Sequence, residues 1–224
     1  MLRAAVITSG GIGARMGSEI PKQYLLLGGL PILVRTLRIF QEHRDVDFII
    51  LTTPADQIEF CQSEIVEANN FSKVSEITRG GRTRQESVLN GLRIASHSDL
   101  ALIHDAVRPL VNPDIISESF EKADSYGAAI AACEVTDTVK TADDFIVGTM
   151  PRENLWLAHT PQTFRTSLII EAHEKALSEG FIGTDDSSLV ERMGFKVAIV
   201  PDSKYNIKIT SPQDLVVAER LLGL

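Results

Sequence analysis

The chain has 224 residues, 44% hydrophobic and 23% charged, which excludes a disordered, collagenous or low-complexity protein and leaves enough chain for a core without disulfides. No apolar run approaches the ~18–20 residues of a membrane helix, and MLRAAVIT runs straight into SGGIGARMG without a signal-type apolar region, which predicts a cytoplasmic protein. With 22 Lys and Arg against 30 Asp and Glu the net charge is −8, a balance that disfavours phosphate-driven nucleic-acid binding and makes a few well-placed cations point to a small anionic ligand.

The first predicted element is a strand at 4–8, followed by the loop Ser9-Gly10-Gly11-Ile12-Gly13-Ala14-Arg15-Met16-Gly17. A Gly-rich turn after the first strand of an α/β sheet lies at the carboxyl edge, where ligands bind and backbone N–H groups approach phosphate oxygens. A dinucleotide fingerprint starting at Gly11 fails at Met16, and no glycine here meets the P-loop spacing. The loop continues to Arg15 and Pro21-Lys22-Gln23, two fixed cations just past the glycines; the alternative is a tight turn with ordinary surface cations.

Leu33, Leu37 and Phe40 then mark a helix, 46–53 a strand, and Val88, Leu92 and Ala95 a second helix. Arg79, Arg82 and Arg84 crowd the stretch before it, with Thr83 and Glu86 spaced as a capping box. Strands follow at 100–104, 128–135 and 197–201, and Leu215, Ala218 and Leu222 close the chain as a helix. The alternation predicts a single α/β domain over 1–224, with a mostly parallel Rossmann-like sheet and helices on both faces. The stretch 136–164 lacks helical spacing and carries turn residues at Asp143-Asp144. It reads as an inserted β-hairpin arm, or else a long surface loop, with Leu155, Trp156 and Leu157 needing a surface to bury against. Cys61 and Cys133 have no metal spacing, and His43, His97, His104, His159 and His173 form no cluster, so these read as structural or exposed.

At the end of the 100–104 strand, Asp105 can accept from ribose hydroxyls, help hold a hard cation such as Mg²⁺, or cap the next turn. Arg108 fits an anionic substrate or an ion pair with Asp105 or Asp114.

The composite GGxGxRMGxxxPKQ resembles the sugar-nucleotide pyrophosphorylase superfamily, and Pro21-Lys22-Gln23-Tyr24 narrows the resemblance to cytidylyltransferases acting on polyol phosphates. Matches continue through Gly80-Gly81-x-x-Arg84-x-x-Ser87-Val88, His104-Asp105-Ala106-Val107-Arg108-Pro109, Asp137-Thr138, Arg152-x-x-Leu155-Trp156, Thr160-Pro161-Gln162, Thr184-Asp185-Asp186 and Asn206-Ile207-Lys208. Together they are similar to the 2-C-methyl-D-erythritol 4-phosphate cytidylyltransferase family; a ribitol-5-phosphate enzyme shares the loop and PKQ but fits the later motifs less well.

The resemblance implies CTP and a polyol phosphate as substrates, Mg²⁺ as cofactor, and a homodimer with exchanged β-arms. It assigns Arg15, Lys22, Arg152 and Lys208 to catalysis. Ser9, Gly10, Gly11, Gly13, Gly80, Gly81, Ser87, Asp105 and Ala106 fall to the nucleotide, with Asp105 also at the metal. Arg108, Thr138, Thr160 and Thr184 fall to the polyol phosphate; Thr184 otherwise reads as a helix N-cap. Ser9-Gly10 departs from the Ala-Ala or Ala-Gly usual there, with small size preserved.

Overall fold

The structure is a computed structural model that describes residues 1–10 and 20–224. The expectations placed on Gly11, Gly13 and Arg15 lie outside the described residues. Strand β1 (Arg3–Thr8) is followed by the short paired strands β2 (Leu26–Leu27) and β3 (Leu30–Pro31), helix α1 (Ile32–Glu42) and β4 (Phe48–Thr53). A helical turn α2 (Ile58–Phe60) continues as a π-helix over Cys61–Glu67, before β5 (Val74–Arg79). Helix α3 (Arg84–Ile94) leads to β6 (Leu100–Asp105), and α4 (Pro113–Tyr126) to β7 (Ala128–Glu134). Strands β8 (Val139–Ala142) and β9 (Ile146–Met150) pair as a hairpin. The chain ends with β10 (Trp156–Arg165), α5 (Thr166–Ser178), α6 (Asp186–Arg192), β11 (Ala198–Pro201) and α7 (Pro212–Leu221).

Seven strands form one sheet in the order β11-β7-β10-β6-β1-β4-β5. All neighbouring pairs are parallel except those of β10, which runs against both β6 and β7. Alternation along β1 explains the layers. Ala5 and Ile7 join Leu33, Leu37 and Phe40 of α1 and Phe120 of α4 on one face. Ala4 and Val6 meet Val88 and Leu92 of α3 and Ile169 and Ala172 of α5 on the other. Helix α3 sits close because position 91 has no side chain: a Cβ on Gly91 would lie 2.5 Å from Val6 and 2.9 Å from Thr52.

Because β1 lies between β4 and β6, the chain leaves it in opposite directions for its two neighbours, which opens a crevice at the carboxyl ends of β1 and β6. Ser9 N–H and Oγ both donate to the Thr52 carbonyl, at 2.8 and 2.9 Å, and Ala106 N–H donates to the Thr8 carbonyl at 3.0 Å. The three strand ends are thereby locked level.

The excursion expected over 136–164 is shorter. The hairpin spans 139–150, and Trp156–Arg165 is a strand of the main sheet between β6 and β7. Its polar residues His159, Thr160, Gln162 and Thr163 are buried, each with a hydrogen-bond partner, so a strand of the main sheet stands where the end of an inserted arm was expected. The hairpin itself exposes apolar side chains, Phe145 at 84%, Val147 at 79% and Ile146 at 67%.

Candidate active site

The first turn of α3 organises one side of the crevice. Thr83 caps the helix by accepting from Glu86 N–H at 3.1 Å, an arrangement worth about 1 kcal/mol. The Glu86 carboxylate accepts from Arg82 N–H at 2.8 Å, so the capping box expected from sequence reaches one residue further back. Gly81 must be small, since a Cβ there would lie 2.1 Å from that of Glu86. Ser87, buried, donates its hydroxyl to the Thr83 carbonyl at 2.9 Å and accepts from Gly81 N–H at 3.0 Å. Gly80 N–H is held by the Thr53 carbonyl at 2.7 Å. A Cβ on Gly10 would stand 3.6 Å from Ser87 Oγ, and one on Gly80 3.0 Å from it. Four residues singled out by sequence (Gly10, Gly80, Gly81 and Ser87) therefore meet at one point between β1, β5 and α3.

Asp105, at the end of β6, organises the other side. Its Oδ1 accepts from Arg84 Nε at 3.0 Å. Its Oδ2 faces Lys208 Nζ at 2.9 Å and Arg108 Nε at 3.6 Å. Burial disfavours a charge on this carboxyl, but Arg84, Lys208 and Arg108 outweigh it and hold the group well below the usual carboxylate range. Burial likewise pulls down the Arg108 guanidinium, against the opposing pull of Asp105 and Asp202. The segment carrying Lys208 is fixed by Ile209 N–H on the Val107 carbonyl at 2.9 Å. Asn206 Nδ2 bonds the Thr160 carbonyl at 2.9 Å and Asp202 Oδ2 at 2.6 Å.

Beneath Asp105 lies a hydrogen-bonded relay. His104 is fully buried, and burial pushes its pKa down to about 4, which leaves it neutral near pH 7. Its Nε2 is 3.1 Å from the Arg108 carbonyl, which only accepts, so the proton resides on Nε2. Nδ1 then accepts from the Thr160 hydroxyl at 3.0 Å, and that oxygen accepts from Asp105 N–H at 3.1 Å. Thr160 thus joins β10 to the carboxyl end of β6.

On the loop side, Lys22 opens a short 3-10 helix, Lys22–Tyr24, and is half-buried. Gln23 Nε2 donates to the Ser9 carbonyl at 2.7 Å, pinning this turn beside the end of β1. A family model described as 2-C-methyl-D-erythritol 4-phosphate cytidylyltransferase matches residues 3–223. A protein of that name from Geobacter metallireducens is 50% identical over 223 residues, 97% of this chain and 96% of the relative.

The chain belongs to the 2-C-methyl-D-erythritol 4-phosphate cytidylyltransferase family.

Solved structures agree. A 4-diphosphocytidyl-2C-methyl-D-erythritol synthase from Anaerococcus prevotii superposes with a TM-score of 0.87 at 32% identity, covering 100% of this chain and 96% of that one. The 2-C-methyl-D-erythritol 4-phosphate cytidylyltransferase of Francisella tularensis gives 0.84 at 32%, with 98% and 99% covered. The family's Rossmann-like nucleotidyltransferase fold is the architecture described above, and the chain is accordingly an enzyme of the cytidylyltransferase class.

Of the residues singled out by sequence, the cytidylyltransferase fold gathers Ser9, Gly10, Lys22, Gly80, Gly81, Ser87, Asp105, Ala106, Arg108, Thr160 and Lys208 around the carboxyl ends of β1, β5 and β6. Ser9 commits both its hydroxyl and its N–H to the Thr52 carbonyl and its own carbonyl to Gln23 Nε2, so it braces the end of β1 rather than facing the crevice with an open donor. Arg152 and Thr138 lie instead at the exposed root of the hairpin, where Arg152 NH1 donates to the Thr136 carbonyl at 2.7 Å. Thr184 is exposed, and the cap of α6 is Asp185, accepting from Ser188 N–H at 3.0 Å. Sequence reading quoted Arg84 within its motif without giving it a task. Its three-residue spacing from Ser87 on one helical face was the available signal, since it puts both at the mouth of the crevice.

Among the described residues no group of three His, Cys, Asp or Glu side chains could hold a metal ion, and no helix is long and apolar enough to cross a membrane. A hard cation held mainly by phosphates and water needs only one or two carboxylates. Asp105 is the carboxylate the crevice offers for that purpose, and a cation taking its Oδ2 would have to share it with Lys208, now 2.9 Å away.

Proposed function

We propose that this site carries out cytidylyl transfer from CTP to 2-C-methyl-D-erythritol 4-phosphate, releasing pyrophosphate and 4-diphosphocytidyl-2-C-methyl-D-erythritol, a step of the non-mevalonate route to isoprenoid precursors. The observation that carries the reading is the Asp105 carboxylate, ringed by Arg84, Arg108 and Lys208 beside the Gly80-Gly81-Ser87 corner. Base recognition and phosphate chemistry then occupy adjoining ends of the same strands.

Transfer is an in-line attack by a substrate phosphate oxygen on the α-phosphorus of CTP. The new P–O bond forms as the bond to pyrophosphate breaks, and the electron pair leaves on pyrophosphate. The attacking oxygen is already ionised, so no general base is needed, and the work is positioning plus charge stabilisation. Arg15, Lys22 and Lys208 supply positive charge around the α-phosphate, and the Gly-rich loop after β1 is assigned to the remaining phosphates. Ser87 and the Gly80-Gly81 backbone read the cytosine edge. Asp105 and Ala106 hold the ribose side, and Asp105 would hold Mg²⁺. When bound, Mg²⁺ neutralises charge on the triphosphate and its pyrophosphate leaving group.

The polyol phosphate falls to Arg108, Thr160 and Thr184 of one subunit and to Arg152 and Thr138 of a second, in a homodimer whose arms cross. Support comes from the hairpin. It carries Phe145, Ile146 and Val147 outward, and a lone two-stranded ribbon is marginal in water. The two buried free cysteines, Cys61 and Cys133, suit the cytoplasmic setting proposed for the enzyme. The test is pyrophosphate release from CTP with methylerythritol 4-phosphate and with ribitol 5-phosphate. Turnover with the first and little with the second is expected; the reverse preference would reassign the acceptor.

A further inference from the structure

A line of buried polar contacts runs behind the site. Asp186, the first residue of α6, is 1% exposed, and its Oδ2 accepts from Arg84 NH1 at 2.8 Å. The same guanidinium reaches Asp105 Oδ1 through Nε. The other oxygen of Asp186 lies 3.3 Å from Nε2 of His173, a fully buried residue of α5. The backbone N–H groups of Asp186 and Ser187 both donate to Gln162 Oε1 at 3.1 Å, which ties the start of α6 to β10. Asp186 is thus immobilised from three sides and shares one guanidinium with the carboxylate at the end of β6.

We propose that Asp186 is a positioning residue for the transfer: it restrains Arg84 so that Arg84 covers one oxygen of Asp105 and leaves the other for Lys208 and the incoming ligands. The reason lies in the guanidinium fork, which takes a carboxylate by two parallel bonds when nothing else competes. Here Asp186 holds Nη1, away from the Nε–Nη2 edge that a carboxylate takes side-on, and this second anchor sets the tilt at which Arg84 meets Asp105 through Nε, leaving Oδ2 to Lys208 at 2.9 Å. Without the Asp186 charge, Arg84 is released to take both oxygens of Asp105 and to displace Lys208. A purely structural ion pair needs one carboxylate per guanidinium; the shared geometry makes the second carboxylate a control on the first.

The inference rests on Asp105 serving the reaction, and its test reads two things. In the first, kcat/KM for CTP is measured for wild type, Asp186→Asn, Asp105→Asn and the double variant. Asp186→Asn is expected to lose about 10- to 100-fold in an otherwise wild-type chain, the usual cost of losing a partner behind a ligand-holding group. It should change little once Asp105 is already Asn. An equal loss in both backgrounds, or wild-type activity with only a lowered Tm, overturns the proposal. In the second, a crystal structure of Asp186→Asn is expected to show Arg84 on both Asp105 oxygens; a retained single contact overturns it whatever the activity. Should Asp186→Asn fail to fold, Arg84→Lys, which cannot bridge both carboxylates, is expected to show the same loss and the same dependence on Asp105. A wild-type enzyme inactive with CTP would refute the proposed reaction, while the structural readout would still decide the positioning claim.

Discussion

Two regions at the carboxyl edge of the sheet are built on opposite terms. Around Asp105 polar groups converge from one chain: Arg84, Arg108 and Lys208 on the carboxylate, Thr160 on its backbone N–H, His104 beneath Thr160. The hairpin 139–150 makes few such commitments and turns Phe145, Ile146 and Val147 to the outside. The first region is preorganised, as charge stabilisation requires. The second turns apolar side chains outward, and in the proposed dimer Arg152 and Thr138 at its root would join the partner's site. Chemistry and assembly are thus divided between a part that one chain finishes and a part that it leaves open.

The sharpest way to break this division is at the cations. Lys22→Ala and Arg15→Ala are each expected to lower kcat by about 10²–10³, by analogy with the loss of one oxyanion donor, with a smaller change in KM for CTP. Near-normal kcat in steady-state assays would remove the loop from the chemistry. Next comes the carboxylate. Asp105→Ala leaves three cations facing one another, a loss that costs about 3 kcal/mol, the low end for a broken buried pair because Arg84 and Lys208 are each about a third exposed. Urea denaturation checks the figure.

The sign of its pH dependence follows. The folded carboxyl lies below the ~3.9 of an unfolded chain, so its stabilisation is complete above about pH 4 and is lost as pH falls through the folded value. The Asp105→Ala chain should lack that share of the acid loss; parallel wild-type and variant stability curves below pH 4 would exclude it.

The open region is tested by mixing. Lys22→Ala and Arg152→Ala chains should each be nearly inactive alone, while exchanged subunits should recover about a quarter of wild-type activity, since half the dimers are mixed and each holds one intact site. No recovery after verified exchange would place Arg152 and Lys22 in the same subunit's site. The smallest effect is expected at Ser87→Ala, which frees Gly81 N–H and the Thr83 carbonyl for about 1 kcal/mol of stability. It should raise KM for CTP and narrow the preference over UTP. An unchanged CTP/UTP ratio would leave base reading to the backbone alone.

How much of this was legible in the sequence differs between the same regions. Through the family resemblance the Gly80-Gly81-Ser87 corner and Lys208 were legible, while the strand–helix alternation and the cap of α3 follow from spacing. They depend on local rules: a strand followed by a glycine turn, a cap, a helical face. Strand β5 escaped because its outer residues, Ser75 and Glu76, face solvent at the sheet edge and dilute the apolar signal. Strand β10 escaped because its burial depends on partners far away in sequence. Gln162 is satisfied by Asp185 and by the start of α6, and Thr163 by Ser119. The tasks of Arg84 and Asp186 were hidden for the same reason, since residues 102 positions apart meet only after folding.

The reversal of β10 has an architectural consequence. In a parallel unit the chain must cross back to the amino edge before the next strand can start. Because β10 runs the other way, β7 ends where β10 begins, and Glu134 stands opposite Trp156. The excursion between them therefore leaves and returns at the edge that carries the substrate crevice, with no crossover to rebuild. Its length is a free variable. Adding equal numbers of residues to both hairpin strands extends its reach by about 3.3 Å per residue pair and leaves the register of the main sheet untouched. In the proposed dimer the fold would thereby separate the tuning of subunit reach from the tuning of catalysis, so that drift or engineering could adjust one without reopening the other.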